Sequence, residues 1–223
     1  IAAGVVCLAV AGVLPAEVKM PPIWPQIQGV FPRGGQQGTE VSFSLKGRNL
    51  QEAREILFTS GKLQAKVVSS DAYEVRAVVS IAPDAEPGRH DLRLISPSGA
   101  AIGYFDVSTY PERLEKEPND DPARAEALLF PALVNGLLKS ADYDYFRFDA
   151  QAGQVLTVDV LATRLGANTD AVITILDEAG EDLAYSDDYY GFKDPHLKYR
   201  FPKSGSYYLR ISGSSEAGCD TCD

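Results

Sequence analysis

Histidine and cysteine are scarce, at two and three residues in 223, and their scarcity removes most catalytic and zinc chemistry at once. His90 and His196 stand about a hundred positions apart, and neither has the neighbours of an H-E-x-x-H zinc site or of a recognisable triad. No G-x-S-x-G, Walker loop or dinucleotide fingerprint occurs. His90 follows a Pro-Gly turn and reads as a strand-edge residue. No enzyme activity is expected within these residues.

Cys7 lies in an apolar stretch with no leucine three positions before it, so a lipid anchor there is not expected. Cys219 and Cys222 form a C-x-x-C pair, which suits a zinc half-site, a redox pair or a small loop disulfide. No second pair completes a zinc site and no helical pattern follows, which favours a disulfide in an oxidising compartment. An initiator methionine is also missing. The run IAAGVVCLAVAGVLPA is uncharged, too short for a confident membrane span, and has the length and small-residue ending of a signal-peptide core without its basic start. Residues 1–24 are therefore expected to be a signal remnant and leader of an exported protein, cleaved near Ala16, with no stable membrane span after cleavage. A buried N-terminal strand or helix is the competing reading.

Positive charge is short in one half only. Residues 1–111 carry ten acidic and ten basic side chains, whereas residues 112–223 carry twenty-one and eleven, so the net charge of −10 lies entirely in the second half. Such a surface repels phosphates and disfavours nucleic acid, while cationic partners, metal ions above all, suit it.

What the chain does have is punctuation. Nineteen glycines and fourteen prolines favour many turns and short strands over long helices. Val41, Phe43 and Leu45 share one strand face and Val75, Ala77, Val79 and Ile81 another, with turn signals at RGGQQG, KGRN, APDAEPG and SPSG. The fold expected is all-β, two consecutive antiparallel β-sandwich domains over residues 25–110 and 112–223. The composition shift at Tyr110 and Pro111 puts the linker at residues 108–114. Pro111, Pro118 and Pro122 favour an extended path, and ARAEALLF suits a helical turn or two.

The segment EKEPNDD carries Glu115, Glu117, Asn119, Asp120 and Asp121 in seven positions. Shortly after it, DYDYFRFDA places Asp142, Asp144, Phe146 and Phe148 on one face by the period of two. A carboxylate that starts a core face is costly unless hydrogen bonds or a cation compensate it. Calcium (Ca2+) suits this oxygen-rich donor set, and zinc does not, because neither thiol nor imidazole is near. Spacing alone does not separate a calcium site from a solvated acidic linker. Asp187 and Asp188, in SDDYYGFKD, offer a second acidic loop that reads more simply as solvated surface.

Two resemblances bear on these residues. PQIQGVFPRGGQQGTEVSFSLKGRNL with EPGRHDLRLISPSG resembles the IPT/TIG immunoglobulin-like domain, which implies a spacer or interaction module over roughly 85 residues. E-x-E-P-N-D, D-x-D-Y-F-R-F, TDAVITILDEAGEDLAYSDD and LKYRFPKSGSYYLRI resemble the bacterial pre-peptidase C-terminal (PPC) domain from residue 112 to about 213. That family implies a jelly-roll-like sandwich appended to secreted peptidases and similar to clostridial collagen-binding domains, where the acidic segment holds calcium. Carried over, the resemblance implies calcium ligands at Glu115, Glu117, Asn119, Asp120, Asp142 and Asp144. In some members the last two aspartates stand three apart rather than two. The family pattern also leads one to expect a further strand, and hence a C-terminal truncation.

Tyr185, Tyr189, Tyr190 and Tyr208 are candidates for contact with an extracellular protein or polysaccharide, with core or hairpin packing the simpler role for each. The expected function is a noncatalytic, calcium-stabilised binding or spacer module that is secreted, periplasmic or at the cell surface. The alternative is the accessory region of a secreted peptidase whose catalytic domain lies outside these residues.

Overall fold

The structure, a computed structural model, describes residues 24–139 and 142–213. Residues 1–23 of the expected leader, with Cys7, and also Cys219 and Cys222, lie outside the described residues. Among the described residues there is no α-helix, and no helix is long and apolar enough to cross a membrane.

The first half builds eight strands: β1 (Gln26–Phe31), β2 (Gly34–Gln36), β3 (Glu40–Arg48), β4 (Glu55–Phe58), β5 (Leu63–Ser70), β6 (Glu74–Ile81), β7 (Gly88–Ser96) and β8 (Gly99–Ser108). They form two four-stranded sheets, ordered β1-β3-β6-β5 and β2-β8-β7-β4. Alternation along β3 and β6 turns Phe43, Leu45, Val75, Ala77, Val79 and Ile81 inward, where they meet Leu92, Leu94 and Phe105 of the facing sheet. Phe43 and Phe105 meet across the layers at 5.4 Å between ring centroids. His90 is buried, and its Nε2 lies 2.7 Å from the Glu86 carbonyl oxygen, a structural bond at a turn.

The second half contributes β9 (Glu112–Leu114), β10 (Glu126–Ala127), β11 (Leu133–Asn135), β12 (Tyr143–Ala150), β13 (Val155–Asp159), β14 (Ala171–Asp177), β15 (Asp182–Ser186), β16 (His196–Arg200) and β17 (Gly205–Gly213). Its main sheet runs β10-β12-β17-β14-β15, with β13 and β16 paired separately. Phe146 and Phe148 of β12, Ile173 and Ile175 of β14, and Tyr207 and Leu209 of β17 supply the core, with Leu156, Leu197 and Phe201. Phe148 meets Phe130, Phe201 and Tyr207 at 5.1, 5.7 and 6.1 Å. The buried Tyr207 donates its hydroxyl to the Lys203 carbonyl at 2.7 Å, which satisfies its polar end inside an apolar cluster. Each half therefore buries its own apolar cluster.

Two local expectations change. The stretch after EKEPNDD makes only one 3-10 turn, Pro122–Arg124, capped by the Asp121 carboxylate, which accepts from the Ala123 and Arg124 amides. The chain then joins β12 as β10, and Leu128 donates its amide to Arg147 at 2.8 Å. An open strand edge captures main-chain groups that a short helix would otherwise pair with itself. Likewise the expected linker ends in structure, because β9 lies parallel to β11 and Asn135 ties the halves together. Asn135 Oδ1 accepts from the Arg33 amide at 3.1 Å, and its Nδ2 donates to Glu112 Oε1 at 2.7 Å.

Candidate metal centre

EKEPNDD runs from the β9 ladder to the start of the main sheet and is fixed at both ends by main-chain bonds. The Glu115 amide donates to Asn135 at 3.0 Å, and the Tyr145 amide of β12 donates to the Asn119 carbonyl at 2.9 Å. That second bond docks the segment against β12 one residue past Asp144. The alternation of β12 turns Asp144 inward with Phe146 and Phe148, so its carboxylate is buried at 4% exposure while its flanking tyrosines face outward or the rim.

The carboxylates of Glu117, Asp142 and Asp144 converge, with one oxygen of each lying within 4.8 Å of the others. Glu117 also accepts from the Asn119 amide at 3.3 Å. Asn119 is fully buried, yet among the described residues its side-chain Oδ1 and Nδ2 have no hydrogen-bond partner, and neither has Asp144 Oδ1. Burying such groups unpaired costs on the order of 1–3 kcal/mol each. The amide bond from Asn119 to Glu117 sets this residue next to the three carboxylates, and carboxylate and amide oxygens so grouped are donors that a hard cation takes.

Charge compensation within the chain is thin. Lys139 Nζ lies 3.6 Å from Glu117 Oε1 and is largely exposed. Burial pushes the Asp144 carboxyl up to about 7, with Glu115, Asp142, Glu117 and Asp120 adding repulsion. Burial likewise raises Glu115, aided by Glu117 and Asp142, although the Leu137 amide, donating at 2.6 Å to Oε1, favours its charged form. Calcium fits these residues, because carboxylate and amide oxygens are the donors it takes.

Of the six residues singled out by sequence, Glu117, Asp142 and Asp144 come together, Asn119 lies buried beside them, and Glu115 borders the group through Gly136 and Leu137. Asp120 is turned to Arg124, at 3.2 Å and half exposed. Gly136 matters because a β-carbon there would meet the Glu115 carboxylate, with its Cδ at 2.8 Å. The clash falls on the end of a flexible side chain. Gly136→Ala is thus expected to lower calcium affinity several-fold by displacing Glu115, with a stability loss in chelator of under about 1 kcal/mol. Calorimetric titration paired with urea unfolding checks it.

One anchor has no sequence motif. Asp194 is fully buried and accepts from the amides of Ala162, Thr163 and Arg164, from Thr163 Oγ1 and from Arg164 Nε, at 2.6–3.1 Å. Burial alone would raise its carboxyl, but these donors outweigh it and hold the group below the usual range. Its donors lie about thirty positions away in sequence, so only the fold assembles them. Asp187 and Asp188 are exposed.

Comparison with known proteins places this site at the edge of a family match. Residues 142–213 match the model of the bacterial pre-peptidase C-terminal domain. Asp142 and Asp144 open the matched region, and EKEPNDD precedes it. A probable subtilase-type serine protease of Deinococcus radiodurans is 33% identical over 100 residues, covering 43% of this chain and 14% of that protein. The chain thus spans about one seventh of that relative's length. Among solved structures, SGBP-B from the mixed-linkage glucan utilization locus of Bacteroides ovatus, in complex with a mixed-linkage heptasaccharide, aligns at 17% identity and a TM-score of 0.32. That alignment covers 83% of this chain and 38% of the other. Domains 5–6 of the S-layer protein SbsC align at 10% identity and a TM-score of 0.31, covering 87% and 86%.

Proposed function

We propose that the chain is a noncatalytic, calcium-stabilised spacer or binding module of an exported protein, in which the acidic segment is fastened to the second sandwich by a cation. The observation that carries this reading is the buried, unpartnered side chain of Asn119 beside the converging Glu117, Asp142 and Asp144 carboxylates. Bound calcium supplies the positive charge that this oxygen cluster lacks.

The chain's own residues do the rest. Glu117, Asn119, Asp142 and Asp144 present oxygens, Glu115 approaches from the β9 side, and Asp120 adds charge near the rim. Because EKEPNDD continues from β9, and Asn135 bonds both Glu112 and the Arg33 amide, tightening this segment also steadies the junction between the sandwiches. The IPT/TIG resemblance of residues 25–110 gives the first sandwich the part of a spacer.

A second reading is the accessory region of a secreted peptidase. It is supported by the pre-peptidase match and by the subtilase-type relative.

Thermal unfolding and limited proteolysis of the chain after chelation, with and without added calcium, test the calcium reading. A ligand at a hundred times its dissociation constant adds about 2.7 kcal/mol to the folded state. A rise in melting temperature of several degrees and slower cleavage between residues 111 and 125 are expected. No change in either would reject the reading.

A further inference from the structure

The last strand of the main sheet in the second sandwich ends in an aromatic, acidic tip that the calcium reading does not use. Among the described residues β15 is hydrogen-bonded to β14 and to no other strand, though it also lies near β16, and it stands at the end of the strand order, so its other edge offers alternate main-chain donors and acceptors. Tyr185 on this strand is 71% exposed, and Tyr190 and Phe192 in the following turn are 86% and 55% exposed. Exposed aromatic rings beside an unpaired strand edge are suited to contact with a partner.

The tip is built. Tyr189 and Phe192 exchange two main-chain hydrogen bonds of 3.1 Å, closing a two-residue turn with Tyr190 at φ 50° and Gly191 at φ 77°. A tyrosine in the left-handed region costs on the order of 1 kcal/mol, and the turn that imposes it carries a ring that is 86% exposed. Tyr189 packs on His196 at 4.6 Å and meets Tyr190 edge-on at 4.7 Å. His196 faces Asp159 at 3.4 Å, and Arg164 grips Asp159 at 2.7 Å, so the turn rests on the Asp194 anchor below it.

Charge selects the occupant. Asp187 and Asp188 are exposed at the tip, and the loop's single cation, Lys193, is paired to Asp170 at 2.9 Å. Lysine and arginine side chains suit both the aromatic faces and the exposed carboxylates, one of which, Asp187, also accepts from the Asp188 amide at 2.9 Å. A neutral polysaccharide would stack on the rings and could donate hydroxyls to the carboxylates, but it gains no net charge attraction and leaves the strand edge unpaired. We propose that β15 and its tip, through Tyr185, Asp187, Asp188 and Tyr190, receive an extended lysine- or arginine-bearing segment of a partner protein, added as a further strand.

The test uses the full chain in chelator, which separates this site from the calcium site. A fluorescent peptide of about eight residues alternating arginine and valine, long enough to span β15, is titrated by anisotropy. It should bind saturably and more weakly at high salt. Tyr185→Ser and Tyr190→Ser should each weaken binding at least about tenfold with unchanged thermal unfolding, and N-methylation of alternate peptide amides should abolish it. Equal binding of a glutamate-valine analogue, or unchanged affinity in both tyrosine variants, would overturn the proposal. So would a glucan oligosaccharide that binds through these tyrosines while the peptide does not.

Discussion

In the Asp144→Ala variant, calcium is expected to give no rise in melting temperature at concentrations that, on the proposed reading, saturate the natural chain. Asp144 is the buried carboxylate of the converging group, and one of its oxygens has no hydrogen-bond partner among the described residues. On the proposed reading, removing it deletes both a ligand and a charge, and ligand charge is the main lever on calcium affinity. A loss of about a hundredfold or more corresponds to roughly 2.7 kcal/mol, enough to cancel the stabilisation. Asp188→Ala, in the exposed loop, should leave affinity unchanged. Equal losses in the two variants would move the site to that loop.

The same carboxylate gives the calcium-free chain a characteristic pH response. Its folded-state value, about 7, stands above the ordinary 3.8, so the folded chain holds this proton more tightly than the unfolded chain. The resulting stability is fully present below about pH 4 and is lost as pH rises to 7, in total on the order of 2–4 kcal/mol. Glu115 shifts the same way, again through burial first. Asp194, held below the usual range, contributes in the opposite sense at lower pH. Urea unfolding in chelator should therefore show a decline in stability from pH 5 to pH 8 that Asp144→Ala reduces and saturating calcium offsets.

Asp194→Ala destabilises the second sandwich by about 3–5 kcal/mol. The substitution strands three main-chain amides, a hydroxyl and the Arg164 guanidinium, all of which converge on one fully buried carboxylate. Arg164 keeps Asp159, but its position over the 162–166 turn is no longer set. A drop in melting temperature of about 10 °C or more follows. Asp194→Asn, which keeps an acceptor oxygen but loses the charge, should fall between. Circular dichroism melts of the three chains decide it, and a change below about 1 kcal/mol would show that the cluster is not a structural anchor.

Strand faces were readable in the sequence wherever one side of a strand meets a core. The period of two put Phe43 with Leu45, Val75 with Ile81, and Phe146 with Phe148 on their buried sides, because burial penalises any other register. Where a segment's partners come from distant chain, local pattern fails. ARAEALLF has helical composition but lies along the open edge of β12, and Asp194 is one acid among many until residues 162–164 close over it. Asn135 gives no local hint that it spans the junction to Arg33.

The acidic segment occupies a middle position. Residue types and family resemblance were enough to name Glu115, Glu117, Asn119, Asp120, Asp142 and Asp144 together. They could not distinguish the fully buried Asn119 from Asp120, which leans on Arg124 at the surface. Burial of a polar side chain without a partner is a three-dimensional fact, and it is the one that favours a cation over solvent.

Calorimetric titration of calcium into the chelated chain at pH 8, where the Asp144 carboxylate is ionised, tests the central claim most directly. The account predicts saturable binding that weakens as pH falls below 7 and that fails in the Asp144→Ala variant. Absence of saturable binding at pH 8, or unchanged binding in that variant, would contradict it.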